Sequence, residues 1–176
     1  MLDKNKLDDI NILNQPAELR KVLGYLPQEA SVFRKLSVAD NIMAVLEMTK
    51  LNKQDRLARL EELLNEFSLT HVRKNLGHSL SGGEKRRTEI ARALATNPKF
   101  VLLDEPFAGL DLPTKTYLQN LLYGLDQSVL HITHDLQALA EYERVIWLEK
   151  GQVVGDGLPK HIIPNFENAM AQIEQI

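Results

Sequence analysis

The chain has 176 residues, a formal net charge of -3, no cysteine, 44% hydrophobic and 26% charged residues. That length suits one domain with a real core, and the acidic balance argues against a nucleic-acid partner. With no cysteine there is no disulfide, thiolate metal site or cysteine nucleophile. No apolar run approaches the ~20 residues of a membrane span, and "MLDKNKLDDI" lacks the basic start and apolar core of a signal peptide, so the expected setting is the cytoplasm.

In chain order, "KVLGYLPQ" (Lys21 to Gln28) is a short apolar run stopped by Pro27, which predicts a strand entering a loop. From Ser37 to Met48, "SVADNIMAVLEM" opens on a serine cap and continues in helix formers. "RLARLEELLNEF" sets Leu57, Leu60, Leu63, Leu64 and Phe67 on one helical stripe with charges opposite. Leu69 to Leu80 is polar and irregular, and a helix is expected from Glu84 to about Ala95. "FVLLD" (Phe100 to Asp104) and "SVLHIT" (Ser128 to Thr133) have the unbroken apolar pattern of strands covered on both faces. Pro113 suits the first turn of a helix through Leu125. "DLQALAEYE" is helical, "RVIWLEKGQVVGDG" is a hairpin turning at Lys150 and Gly151, and Pro164 to Ile176 forms a terminal helix. Trp147 is expected in the core. Alternating strands and helices imply an α/β layer with a mostly parallel sheet.

Several short stretches carry chemistry. Asp104 and Glu105 follow an apolar strand and are fixed by Pro106, and strand ends deliver residues to the ligand crevice of open α/β folds. One carboxylate there suits Mg²⁺ and the next can orient or deprotonate a water; the plainer alternative is a charged strand end. "LSGGE" (Leu80 to Glu84) joins two glycines to a helix start, where backbone and dipole favour an anion and Ser81 adds a hydroxyl. An ordinary glycine turn is the competing explanation. Lys85, Arg86 and Arg87 look like a solvated helix face. His134 ends a strand as Asp104 does, where an imidazole can meet a phosphate or water. Gln28 can offer its amide to a metal or water. His71, His78, His131 and His161 lack metal spacing and read as incidental.

Together, Gln28, Leu80 to Glu84, Asp104 with Glu105, Asp111 and His134 follow the order and spacing of ATP-binding-cassette ATPases. The resemblance runs from about Leu2 to Gly157. Within the family, "GYLPQEASVFRKLSVADNIMAVLE" and "LSGGEKRRTEIARALATNPKFVLLDEPFAGLD" look most like the lipopolysaccharide-export branch, and after Asp111 the likeness is to the family at large. The resemblance implies a P-loop NTPase-like core with a mostly parallel sheet and a helical subdomain. It implies ATP and Mg²⁺ as cofactors, a second such ATPase domain and a membrane permease as partners, and a place on the inner face of the membrane. Carried over by residue, Glu105 and His134 are catalytic, Asp104 and Gln28 serve the metal, and Ser81, Gly82, Gly83, Glu84 and Asp111 bind nucleotide or support the dimer across which it lies. The segments expected are 1–28 (core up to the Gln28 loop), 29–80 (helical subdomain), 81–157 (second half of the core) and 158–176 (helical tail).

One part of the family pattern is missing. None of the nine glycines is followed by lysine, so no phosphate loop G-x-x-x-x-G-K-S/T lies in these residues. The expected fold therefore lacks the first strand-loop-helix unit, whether by truncation, design or replacement from a partner. Two functions stay open: the ATP-binding subunit of a transporter, or a fragment of it, and a non-catalytic truncated or engineered domain that keeps the fold without turnover.

Overall fold

A computed structural model describes residues 6–7 and 9–173. It divides into two compact units, 1–132 and 133–176.

In the first unit, a two-residue antiparallel pair, β1 (Lys6–Leu7) with β2 (Ile10–Asn11), precedes helix α1 (Pro16–Val22). Pro16 suits the first helical turn, where its missing N–H has no helical partner to lose. The helix ends where Leu23 turns extended and opens β3 (Leu23–Leu26), the strand expected within "KVLGYLPQ".

Helix α2 (Val38–Leu46) starts at the expected cap: the Ser37 hydroxyl accepts the Asp40 N–H at 3.0 Å. Helix α3 (Lys53–Glu66) is capped in the same way by Asn52, whose side chain accepts the Asp55 N–H at 2.9 Å. Four of the five predicted stripe residues, Leu60, Leu63, Leu64 and Phe67, are buried; Leu57 is 45% exposed and leaves the stripe. The stretch read as irregular contains two short 3₁₀ turns (Thr70–Val72 and Gly77–Ser79) and still buries Leu69, Val72 and Leu80.

Helix α4 (Gly82–Leu94) begins two residues earlier than expected, so both glycines lie inside its first turn. It packs on α2 and on β3. A Cβ on Gly24 would strike the Ala93 carbonyl, which is how strand and helix come this close.

β4 (Phe100–Asp104) is the centre of a three-stranded sheet in the order β3-β4-β5, both pairs parallel. α5 (Leu112–Tyr123) links β4 to β5 (Ser128–Ile132). One face of the sheet joins the core, through Leu26, Val101 and Leu103. The other is not covered as the apolar runs predicted: Phe100 and Leu102 are half-buried, and Leu130 and Ile132 are 57% and 48% exposed. The sequence records that these side chains are apolar but cannot say what lies against them. Beneath that face is a cavity of about 350 Å³, floored by Phe100, Leu102 and Leu130 and walled by Leu7, Ile12 and Leu19.

The second unit opens with a single short helix, α6 (Leu136–Leu139), capped by Asp135 and much shorter than the nine-residue segment expected. The hairpin of β6 (Val145–Glu149) and β7 (Gln152–Gly157) turns at Lys150 and Gly151 as predicted, both with positive φ (49° and 76°). Helix α7 (Pro159–Ile173) starts five residues before Pro164, which sits inside it. Trp147 is half-buried rather than a core residue; its ring meets that of Phe166 edge-on at 5.3 Å between centroids.

Candidate functional site

Two clusters in the first unit gather eight of the nine residues singled out from the sequence, all but His134. One lies at the C-terminal ends of the parallel strands. Leu26 of β3 pairs in register with Leu103 of β4, so Pro27 and Gln28 leave the sheet beside Asp104 and Glu105. Gln28 is exposed, while Asp104 and Glu105 are half-buried. Glu105 adopts φ 45°, in the left-handed region. For a side-chain-bearing residue that conformation costs about 1–2 kcal/mol, and it persists only where the surroundings impose it.

Much of that hold comes from one side chain. Arg86 was expected on a solvated face together with Lys85 and Arg87; instead it is 7% exposed and runs under the strand ends. Its Nη2 donates to the Asp104 carbonyl (3.1 Å) and the Glu105 carbonyl (2.7 Å), and its Nε to the Pro106 carbonyl (2.8 Å). Nη1 donates to the Pro27 carbonyl at 3.1 Å and to Glu89 Oε2 at 3.2 Å. The planar fork of a guanidinium can satisfy that many acceptors at fixed angles, which a lysine cannot. From across the sheet, the Glu105 N–H donates to the Ile132 carbonyl at 2.9 Å. The strained turn is thus held from both sides. A basic triplet after a glycine pair gave no sign that its middle member turns inward; only the helical phase, which puts residue 86 with buried Glu89 and Ile90, hints at it.

The second cluster is at the starts of α4 and α5. Ser81 caps α4 in a reciprocal box: its hydroxyl accepts the Glu84 N–H (3.3 Å), and the Glu84 carboxylate accepts from Ser81 N–H (2.8 Å) and Oγ–H (2.9 Å). The hydrogen bond from the Ser81 backbone is the chief reason the Glu84 carboxyl titrates below its ordinary range, with burial working against it. His71, read as incidental, lies 3.5 Å from Glu84 Oε1. Asp111 caps α5, accepting the Thr114 N–H at 2.9 Å and the Thr114 hydroxyl at 3.0 Å. Those bonds lower its pKa as well. The clusters on α4 and α5 touch, because the space where Gly83 would carry a Cβ is taken by Thr114, at 3.0 Å from Cγ2 and 3.3 Å from Oγ1. Gly82, by contrast, has nothing within 4 Å of that position, so an approaching group meets bare backbone. The first-turn amides of Gly82 and Gly83 lie beyond the reach of the helix's own carbonyls, as at any helix start.

His134 lies in the second unit, exposed, two residues past the end of β5. His131 was also passed over in the sequence; its ring meets Phe107, in the turn after Glu105, edge-on at 5.2 Å between centroids. Among the described residues no three His, Cys, Asp or Glu side chains converge as a metal cage. Mg²⁺ does not need one, since it is commonly held by one or two carboxylates with phosphate oxygens and water; Asp104 beside the Gln28 loop suits that ion.

The family description "ABC transporter" matches residues 1–108. The chain belongs to the ABC transporter ATPase family. It is 47% identical over 161 residues to the lipopolysaccharide export system ATP-binding protein LptB of Escherichia coli K12, covering 89% of this chain and 67% of that protein. To LptB of Haemophilus influenzae it is 44% identical over the same share of each chain. The chain thus spans about two thirds of the length of these relatives. Two solved ABC ATPases share the fold. The dimeric post-hydrolysis state of the cassette MJ0796 bound to ADP and Pi matches with a TM-score of 0.77 at 28% identity, over 87% of this chain and 72% of that one. CbiO1 of Clostridium perfringens, part of the transporter complex cbiONQ, matches with a TM-score of 0.79 at 25% identity, over 97% of this chain and 75% of that one. As an α/β ABC ATPase fold close to the lipopolysaccharide-export ATPases, the chain is what its motifs implied. Among the described residues no helix is long and apolar enough to cross a membrane.

Proposed function

We propose that this chain is the ATP-binding subunit of an ABC transporter, or a fragment of it, coupling ATP hydrolysis to transport through a membrane permease, in which Ser81, Gly82 and Gly83 face the nucleotide of a second domain and the phosphate-cradling loop is not among these residues. In this reading a membrane permease holds the subunit on the inner face of the membrane through the segment 29–80, and a second ATPase domain completes the site. Bound Mg-ATP supplies the phosphoanhydride bond and the metal that neutralises its charge. Asp104 then lies in the metal shell and Gln28 reaches metal or water from the neighbouring strand end. Glu105 orients and deprotonates the attacking water, and His134 meets the terminal phosphate. Ser81, Gly82 and Gly83 present a hydroxyl and first-turn amides to the nucleotide of the opposite domain, and Asp111 supports the contact between domains.

The observation that carries this is the turn at Asp104 and Glu105. A left-handed glutamate clamped by one buried arginine is a conformation that folding alone gives no reason to keep. The absence of a Gly-Lys phosphate loop among the 176 residues favours a second reading for the chain taken alone, as a fold that does not turn over. Calorimetric titration with Mg-ATP tests whether these residues bind and turn over nucleotide without a phosphate loop of their own. The chain alone is expected to bind weakly and to hydrolyse at background rate, because the lysine and amide nest that grip the β- and γ-phosphates are supplied elsewhere. Micromolar affinity with steady turnover would contradict the proposal that these residues are only the facing half.

A further inference from the structure

Glu89 is 4% exposed, carries a carboxylate, and has been given no role above. Its two oxygens face opposite ways. Oε1 accepts the backbone N–H groups of Ser31 (2.6 Å) and Val32 (2.9 Å), three and four residues after Gln28. Oε2 accepts from Arg86 Nη1 at 3.2 Å, and Arg86 holds the carbonyls of Asp104, Glu105 and Pro106. One turn further along α4, Arg92 donates to the Ser31 hydroxyl at 2.6 Å and lies over the Phe33 ring, 4.6 Å from its centroid. Three side chains at three-residue spacing on one helix thus join the Gln28 loop to the Glu105 turn.

We infer that Glu89 is a positioning residue whose carboxylate, through Arg86, ties the loop after Gln28 to the strained turn at Glu105, so that a displacement of either is imposed on the other. A surface ion pair would not do this, since either partner could swing into water. Here both charges are buried, and a move that parts them strands a charge in the core, so the two ends move together. That the linked ends are a metal- or permease-sensing loop and a water-orienting glutamate rests on the function proposed above; the link itself does not.

Amide hydrogen exchange on the full chain, without nucleotide, tests it independently of any turnover. Glu89→Gln keeps a carbonyl oxygen for Ser31 and Val32 but turns an NH₂ group toward Arg86. The far amide of Glu105 is then expected to exchange about tenfold faster, while Leu63 and Leu64 in α3 are unchanged. In the reverse direction, Arg86→Gln is expected to speed exchange at Ser31 and Val32 by a similar factor, and the double variant to add little to either single one. Glu89→Ala, which cuts both arms, should speed both ends. Acceleration confined to the end nearest each substitution would overturn the inference, as would additive effects in the double variant. Uniform acceleration that includes Leu63 and Leu64 in both Gln variants would reduce Glu89 to a general stabiliser and overturn it equally.

Discussion

Glu84 does two things with one carboxylate: it completes the cap of α4 and sets a negative charge on the first turn of a helix, where the dipole welcomes it. Because its pKa in the folded chain is lowered from the ordinary 4.5, the folded state binds the proton less readily than the unfolded one. The resulting stability is present above the ordinary value and is lost as pH falls from about 4.5 through the lower folded value. A Glu84→Gln variant, whose amide can still accept from Ser81, should lose that pH dependence. Thermal melts of both proteins between about pH 6 and pH 3 should therefore converge on acidification. A difference that stays constant or widens would show that the carboxylate does not act through the cap. The signal lies in the sequence, as Ser81 three residues before Glu84, but with the helix expected from Glu84 the cap goes unread until the structure places the helix start at Gly82. Arg86, two residues on, is the opposite case. Its role depends on carbonyls 18 to 20 positions away, and no local pattern carries that information.

At the scale of elements, the contact that brings the second cluster together is α4 against α5 through Gly83 and Thr114. Adding a methyl at Gly83 places it 3.0 Å from Thr114 Cγ2, closer than carbon atoms ordinarily pack. Gly83→Ala is therefore expected to destabilise the chain by about 1–3 kcal/mol, the usual range for overpacking, although alanine is the better helix former. Thr114→Ser removes the offending methyl and keeps the hydroxyl for Asp111, so the double variant should recover most of the loss. Denaturant unfolding of the four proteins measures it, and a Gly83→Ala variant as stable as the parent would mean the helices separate freely. The serine cap at Ser37 marked the start of α2 in the sequence, but the cap at Ser81 was missed: α4 begins at Gly82 because that cap outweighs the poor helix propensity of two glycines. The strands were readable as strands but not as surfaces. Leu130 and Leu103 are the same residue type in adjacent strands, and one is 57% exposed while the other is fully buried.

That difference governs the whole molecule. β5 is an edge strand with Leu130 and Ile132 turned outward, over a sheet whose second face has Phe100 and Leu102 half-covered. Exposed apolar surface beside an open strand edge favours association. The isolated chain is expected to self-associate with rising concentration, and Leu130→Lys to suppress this with little change in melting temperature, since an exposed leucine contributes little to folding. Light scattering across a concentration series decides it: a monodisperse monomer in the parent would mean the face is protected in solution.

The central claim is that these residues supply the facing half of a nucleotide site, and its most direct measurement is the ATPase rate of this chain mixed with a complete ABC ATPase domain whose own site provides the phosphate loop. In such a mixture the productive site takes Ser81 to Gly83 from this chain and its water-orienting glutamate from the other. Ser81→Arg, which fills the open start of α4, is expected to abolish the stimulation of hydrolysis, and Glu105→Gln in this chain is expected to leave it nearly intact. Equal loss from the two substitutions, or stimulation that survives Ser81→Arg, would contradict the account.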